Sequence, residues 1–172
     1  MQSNARILEI GIMIQILEIF NGDKLEEIRS LFNEYAASLE ISLDFQDFDD
    51  EFATLPGRYA PPEGCLLLAL WKQRTAGCVA LRKSGEEICE MKRLYVRPHF
   101  RGLKIGRALS EALIQKARDK GYTRMRLDTL SSMNAARALY VSLGFHEIAP
   151  YYHNPAEDPV FMELLLFPQS IF

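Results

Sequence analysis

Hydrophobic positions follow two periods along the chain, one near 3.6 residues and one of two residues, and their order predicts the fold. Ile14–Phe20 reads as a strand, Asn21-Gly22-Asp23 as a turn with Asp23 as N-cap, and Leu25, Ile28, Phe32, Tyr35 and Leu39 as one face of a helix. Residues 1–12 fit no element and read either as a misassigned start or as an extra arm. A shorter helix is predicted over Asp44–Leu55, with Phe45, Phe48 and Phe52 at helical spacing and five acids on the remaining surface, followed by a loop over Pro56–Gly64. Cys65–Trp71 and Ala76–Arg82 form a hairpin pattern, and with Ile88–Val96 they make an antiparallel meander. Pro98 halts that strand, and Ile105, Ala108, Leu109, Ala112 and Leu113 mark a long helix ending near Lys120, with Gly121 at C′. Tyr122–Thr129 alternates as a strand that a helical crossover sets parallel to its predecessor. A helix over Met133–Leu143, capped by Ser131 or Ser132 and closed by Gly144, then strands Phe145–Ile148 and Val160–Phe167, complete the chain.

This pattern fills 172 residues without a repeat or a linker, which fits one domain, and 48% hydrophobic with 25% charged residues are the proportions of a soluble globular protein. Net charge is −3, which gives no reason to expect nucleic acid or an anionic membrane as partner. No apolar run approaches the ~20 residues of a membrane span, and Ile7–Phe20 lacks the features of a signal peptide, so the cytoplasm is the expected location. Cys65, Cys78 and Cys89 are widely spaced and sit in strands, as small buried hydrophobes do. No pair among His99, His146 and His153 has metal-ligand spacing, and no metal is expected.

Charge is distributed unevenly. From Lys92 to Arg107 there are six Lys or Arg and no Asp or Glu, in a chain that is acidic as a whole. The same stretch runs strand, glycine-containing turn, helix start. The first four amides of a helix lack internal partners and the dipole adds about half a positive charge there, so the segment is suited to bind phosphate.

Within it, Arg101-Gly-Leu-Lys-Ile-Gly106 resembles the Arg/Gln-x-x-Gly-x-Gly/Ala pyrophosphate loop of the GCN5-related N-acetyltransferase (GNAT) superfamily, and Leu94-Tyr-Val96 resembles the strand that meets the pantetheine arm of acetyl-CoA. About thirty residues on, Ala136-Arg-Ala-Leu-Tyr-Val-Ser-Leu-Gly-Phe145 is similar to the family's Asn-x-x-Ala-x-x-Leu-Tyr-x-x-x-Gly-Phe signature. Two positions depart from it. Lys104 replaces the first glycine: a positive φ there would cost about 1 kcal/mol, whereas a helical backbone would let the lysine add charge near the phosphates, and the helical case is expected. Met133 holds the asparagine position, with Asn134 one residue late.

The resemblance implies an α/β domain with a mixed, mostly antiparallel sheet of about seven strands. Helices cover both faces, and the sheet splays near Val96. It implies an N-acetyltransferase that moves acetyl from acetyl-CoA to a primary amine of a small or amino-acid-like molecule, by direct transfer in a ternary complex. Cofactor contacts fall on Leu94, Tyr95, Val96, Arg101, Gly102, Leu103, Lys104, Ile105, Gly106, Arg107, Asn134 and Tyr140. Tyr140 is either the acid that protonates or hydrogen-bonds the departing thiolate, as the resemblance implies, or a tyrosine packed between helix and sheet, and a backbone N–H at Leu94–Val96, freed by a bulge, polarises the carbonyl in the family. Glu90 is either a base or a salt-bridge partner of Lys92 or Arg93, and alternation puts Glu90, Lys92, Leu94 and Val96 on one face. The acidic face of the short helix is either solvated or draws a cationic amine. Arg58 and Tyr59 either bind a carboxylate or pin their loop, and Tyr151, Tyr152 and His153 line the acceptor side. A CoA-binding sensor without turnover, or transfer of another acyl group, is the alternative, and the family leaves room for a homodimer.

Overall fold

The computed structural model describes residues 7–10, 13–39, 42–43 and 47–167. Eight strands form one sheet in the order β1-β2-β3-β4-β5-β6-β8-β7. They are β1 (Ile7–Ile10), β2 (Ile14–Glu18), β3 (Cys65–Trp71), β4 (Arg74–Lys83), β5 (Ile88–Val96), β6 (Arg124–Leu130), β7 (His146–Ile148) and β8 (Pro159–Leu165). Every adjacent pair is antiparallel except β5 and β6, which the crossover through α3 (Ile105–Asp119) makes parallel. The expected seven strands are all present. The eighth, β1, lies within the residues that sequence reading left unplaced, and it pairs with β2 from Ile7↔Leu17 to Ile10↔Ile14.

Each face of the sheet carries its own core. On one, Ile105, Leu109 and Leu113 of α3 pack with Val79, Leu81 and Met91, and α4 (Asn134–Ser142) adds Tyr140. On the other, Ile28, Leu31 and Phe32 of α1 (Asp23–Ser38) and Phe48 of α2 (Phe48–Thr54) meet Tyr59, Leu66 and Leu68. Fully burying one such side chain contributes about 1.5–3 kcal/mol, so each helix is held by the stripe that its 3.6 period predicts.

Element ends move by a few residues, as boundaries do. Asp23 is the first residue of α1 rather than its cap, which is Gly22 at φ 78. Met133, not Ser131 or Ser132, occupies the cap position of α4, and no side chain caps it. Of the acidic helix predicted from Asp44, residues 44–46 lie outside the described residues. Gly121 and Gly144, at φ 86 and 99, follow α3 and α4 in the left-handed conformation expected after a helix. None of the described helices is long and apolar enough to cross a membrane.

Candidate active site

β5 is interrupted where the site begins. Cys78 faces Tyr95 and Ala80 faces Lys92, so Arg93 and Leu94 together stand opposite Val79, with Arg93 at φ 59. This is a β-bulge, which leaves one residue without its ladder partner and re-aims the side chains beyond it. It corrects the single-face row expected from alternation. Lys92 and Arg93 point to the α1 side, whereas Leu94 and Val96 pack into the α3 core. Sequence reading could not place the extra residue, because Arg93 shows nothing of its φ. The neighbouring strand also leaves: β5 and β6 pair only from Ile88↔Arg124 to Glu90↔Arg126. Beyond that point the sheet splays, and a cleft opens between them.

At the wide end of the cleft lies the basic turn. The Arg101 amide is used internally, donating to Pro98 O at 3.2 Å, and the next backbone amide with a carbonyl partner is that of Ala108. The amides from Gly102 to Arg107 have no partner among the described residues. Lys104 caps α3 at φ 62, so the helical backbone expected there gives way to the left-handed conformation. The turn must reverse before the helix starts, and lysine accepts about 1 kcal/mol of strain to do so. Lys104 remains beside the exposed amides, with Arg101, whose Nε reaches Val96 O at 3.0 Å, and Arg107, which pairs with Glu111 at 3.1 Å. Free amides, helix dipole and three cations suit the diphosphate of a nucleotide carrier.

A cavity of about 490 Å³ runs from this turn to the bulge. Of the expected cofactor residues, Leu94, Tyr95, Val96, Arg101, Gly102, Lys104, Ile105, Gly106 and Arg107 line it. Leu103 packs against the core instead, and Asn134 is exposed and outside the lining, as is His99. Met133 at the cap of α4, Ala136 and Leu139 within it, and Tyr35 of α1, expected only on a core-facing stripe, also line it.

Tyr35, Leu94, Met133 and Ala136 also border an inner chamber of about 70 Å³, where Tyr140 lies. The Tyr140 ring packs against Phe145 at 5.8 Å, and burial, with Tyr35 and Asp128 nearby, raises its pKa well above the usual phenol value. The floor is ionic. Lys92 Nζ lies 3.3 Å from Asp128 Oδ1. Asn154 donates to Asp128 at 2.9 Å, and the Tyr152 hydroxyl donates to it as well. Burial lowers the Lys92 pKa. Burial would raise that of Asp128, but Lys92 and the hydrogen bonds outweigh it and hold the carboxyl below its ordinary value.

Glu90 is deeply buried and borders neither space. Its salt-bridge partner is Arg82 at 3.2 Å rather than Lys92 or Arg93, and Tyr151 donates to it at 3.1 Å. Arg93 pairs with Glu51 at 2.8 Å. Tyr59 donates to Glu51, which ties its loop to α2, and Arg58 borders a separate recess beside Asp47 and Asp50. His153 is exposed, while its neighbour Asn154 reaches the chamber. The three thiols are buried, and burial pushes Cys65 and Cys89 up to about 12. The signal that could have exposed the ionic floor is Glu90-Met-Lys-Arg93, a run of charge inside an otherwise apolar strand.

A helix terminus with free amides, behind a bulged strand in a splayed sheet, agrees with comparisons to known proteins. The profile of the Acetyltransferase (GNAT) family matches residues 25–145. The chain belongs to this family. It is 45% identical over 142 residues to an uncharacterised N-acetyltransferase of Schizosaccharomyces pombe, covering 81% of this chain and 87% of that one. A Dictyostelium discoideum relative carrying the same description is 33% identical over 216 residues, with coverages of 90% and 99%. N-acetylaspartate synthetase of Danio rerio is 30% identical over 118 residues, 66% of this chain and 42% of that protein. A Klebsiella pneumoniae structure assigned as an acyl-CoA N-acyltransferase superposes with a TM-score of 0.71 at 31% identity, over 90% of this chain and 99% of that one. A Salmonella typhimurium structure containing acetyl-CoA shares the fold, with a TM-score of 0.69 at 23% identity, over 92% and 96%. Acetyl transfer from acetyl-CoA is the activity that this GNAT membership supports.

Proposed function

We propose that the protein is an acetyl-CoA-dependent N-acetyltransferase acting on the primary amine of a small, amino-acid-like molecule by direct transfer in a ternary complex. The observation that carries this is the row of amides from Gly102 to Arg107, unpartnered among the described residues, in a cavity that shares Tyr35, Leu94, Met133 and Ala136 with the chamber holding Tyr140. When bound, acetyl-CoA supplies an activated thioester. The amides at the start of α3, with Arg101, Lys104 and Arg107, hold its diphosphate. Main-chain N–H groups at the bulge stabilise developing oxyanion charge, worth about 2.7–4 kcal/mol for a well-placed donor.

Tyr140 keeps its proton at the hydroxyl oxygen across the physiological range and offers it where a thiolate leaves. We assign Glu90 to the Arg82 ion pair, since its carboxylate is engaged and lies outside the cleft. The acceptor amine then loses its proton to water. The buried thiols, held protonated, are unsuited to a covalent acyl-enzyme. CoA thiol release by the purified protein across a panel of primary amines tests the proposal. Saturable, amine-dependent release supports it, and acetyl-CoA binding without release for any amine supports a sensor instead.

A further inference from the structure

Donors and acceptors in the inner chamber do not balance. The Lys92 side chain is 4% exposed, and among the described residues its ammonium, which carries three N–H donors, has a single hydrogen-bond acceptor, Asp128 Oδ1 at 3.3 Å. Asp128 is in the opposite condition, accepting from Lys92 on one oxygen and from Tyr152 and Asn154 on the other. The carboxylate is close to saturated, whereas the ammonium beside it has donors to spare.

Among the described residues that line the chamber, Lys92 and Asp128 are paired with each other and Arg93 is paired with Glu51, so the spare hydrogen-bonding capacity there lies on the Lys92 ammonium. Glu51, which pairs with Arg93, borders the separate recess, and Glu90 is taken up by Arg82 and Tyr151. Buried charge is unfavourable unless it is paired and hydrogen-bonded, so a chamber built this way is completed by a ligand that brings an anion. A purely cationic amine would bring no acceptor for those donors. The rest of the wall, including Leu39, Leu43 and Leu130, is apolar.

We propose that Lys92 receives a carboxylate of the acceptor, so that the substrate is a small amine bearing a carboxylate and an uncharged side chain. This rests on the acetyltransferase reading above. The ammonium donates to the carboxylate while the acceptor's amine faces Leu94 and Tyr140. Asp128, Tyr152 and Asn154 act as positioning residues that hold Lys92 in place.

The test compares matched acceptors: alanine, valine, leucine and methionine, each beside its C-terminal amide, with putrescine and spermidine as cationic amines. Thiol release is measured at saturating acetyl-CoA, and acetyl-CoA binding by calorimetry. The amides lose their amine proton more readily, so a preference for the acids runs against intrinsic reactivity and reports recognition. The expected result is a kcat/KM for the acids at least tenfold above that for their amides, expressed mainly in KM. Lys92→Gln should bring that ratio close to one, and Lys92→Arg should keep part of it. Equal use of acids and amides, a preference for the polyamines, or a ratio that survives Lys92→Gln would overturn the inference. So would a protein that binds acetyl-CoA and uses none of the acids. Failure to bind acetyl-CoA would instead overturn the underlying acetyltransferase reading. Should Lys92→Gln not fold, the ratio measured on the unaltered protein decides.

Discussion

Lys92 and Asp128 meet at 3.3 Å, two residues beyond the last paired positions of β5 and β6, Glu90 and Arg126. Where the backbones part, a side-chain ion pair takes over from main-chain hydrogen bonds and sits at the apex of the cleft. Breaking such a buried pair from one side costs about 3–5 kcal/mol, because the remaining charge is stranded. Asp128→Asn is therefore expected to lower the free energy of unfolding in urea by that amount. Lys92→Met with Asp128→Leu should recover most of the loss.

The same pair sets an acid dependence. In the folded protein the Asp128 pKa lies below its ordinary 3.8, so the unfolded chain binds the proton more readily. Stability from this group is fully present above pH ~4 and is lost as pH falls through the folded pKa. Urea midpoints measured from pH 6 to pH 2 should fall less steeply for Asp128→Asn than for the unaltered protein.

Lys104 separates backbone strain from charge. Lys104→Gln keeps the residue at positive φ and removes the cation, whereas Lys104→Gly removes both. Both should weaken acetyl-CoA binding by calorimetry about five- to tenfold, on the order of 1–1.4 kcal/mol. Thermal unfolding should show only the glycine variant relieved of strain, by up to about 1 kcal/mol.

Gly106 stands at the second position of α3 and borders the cavity of about 490 Å³. A Cβ there would meet Leu139 and Val96 at 3.7 and 3.9 Å, which is ordinary contact. Gly106→Ala is therefore expected to raise helix stability by up to about 1 kcal/mol. The methyl group would at the same time cover amides that face the cavity, and acetyl-CoA affinity should fall at least tenfold. Opposite signs in thermal unfolding and calorimetry would check this.

Tyr140→Phe keeps the ring and its packing against Phe145 but removes the proton. A general acid contributes about 10²–10⁴-fold, so kcat should drop by at least about 100-fold while the KM for acetyl-CoA moves little. Because the folded pKa is raised above 10, the unaltered enzyme should show no loss of rate from Tyr140 ionisation as pH rises to 10. Steady-state rates over pH 6–10 check both statements.

Much of this could be read from the chain because local period and tertiary role agree. Leu109 and Leu113 lie on the helical stripe and in the core, and Gly121 and Gly144 end helices as their chemistry demands. The basic turn before α3 is legible for the same reason, since glycine, basic residues and a helix start lie within a few positions. What stayed hidden depends on neighbours distant in sequence. The bulge at Arg93 is defined only by Val79 on the next strand, so simple alternation misplaced Leu94 and Val96. Lys92 and Asp128 come from strands separated by the whole of α3, and Asn154 arrives from a loop after β7. Glu90 is a candidate base by resemblance, and the meander places its strand beside β4, but only the register of that pair sets Arg82 opposite it.

In the proposed mechanism the main-chain amides opening α3 grip the diphosphate of acetyl-CoA. Amide ¹H–¹⁵N spectra recorded during titration with CoA test it most directly. Saturable shifts are expected, largest for Gly102 through Arg107, with a second group at Leu94–Val96. Shifts confined to other segments, or no saturable change up to millimolar CoA, would contradict it.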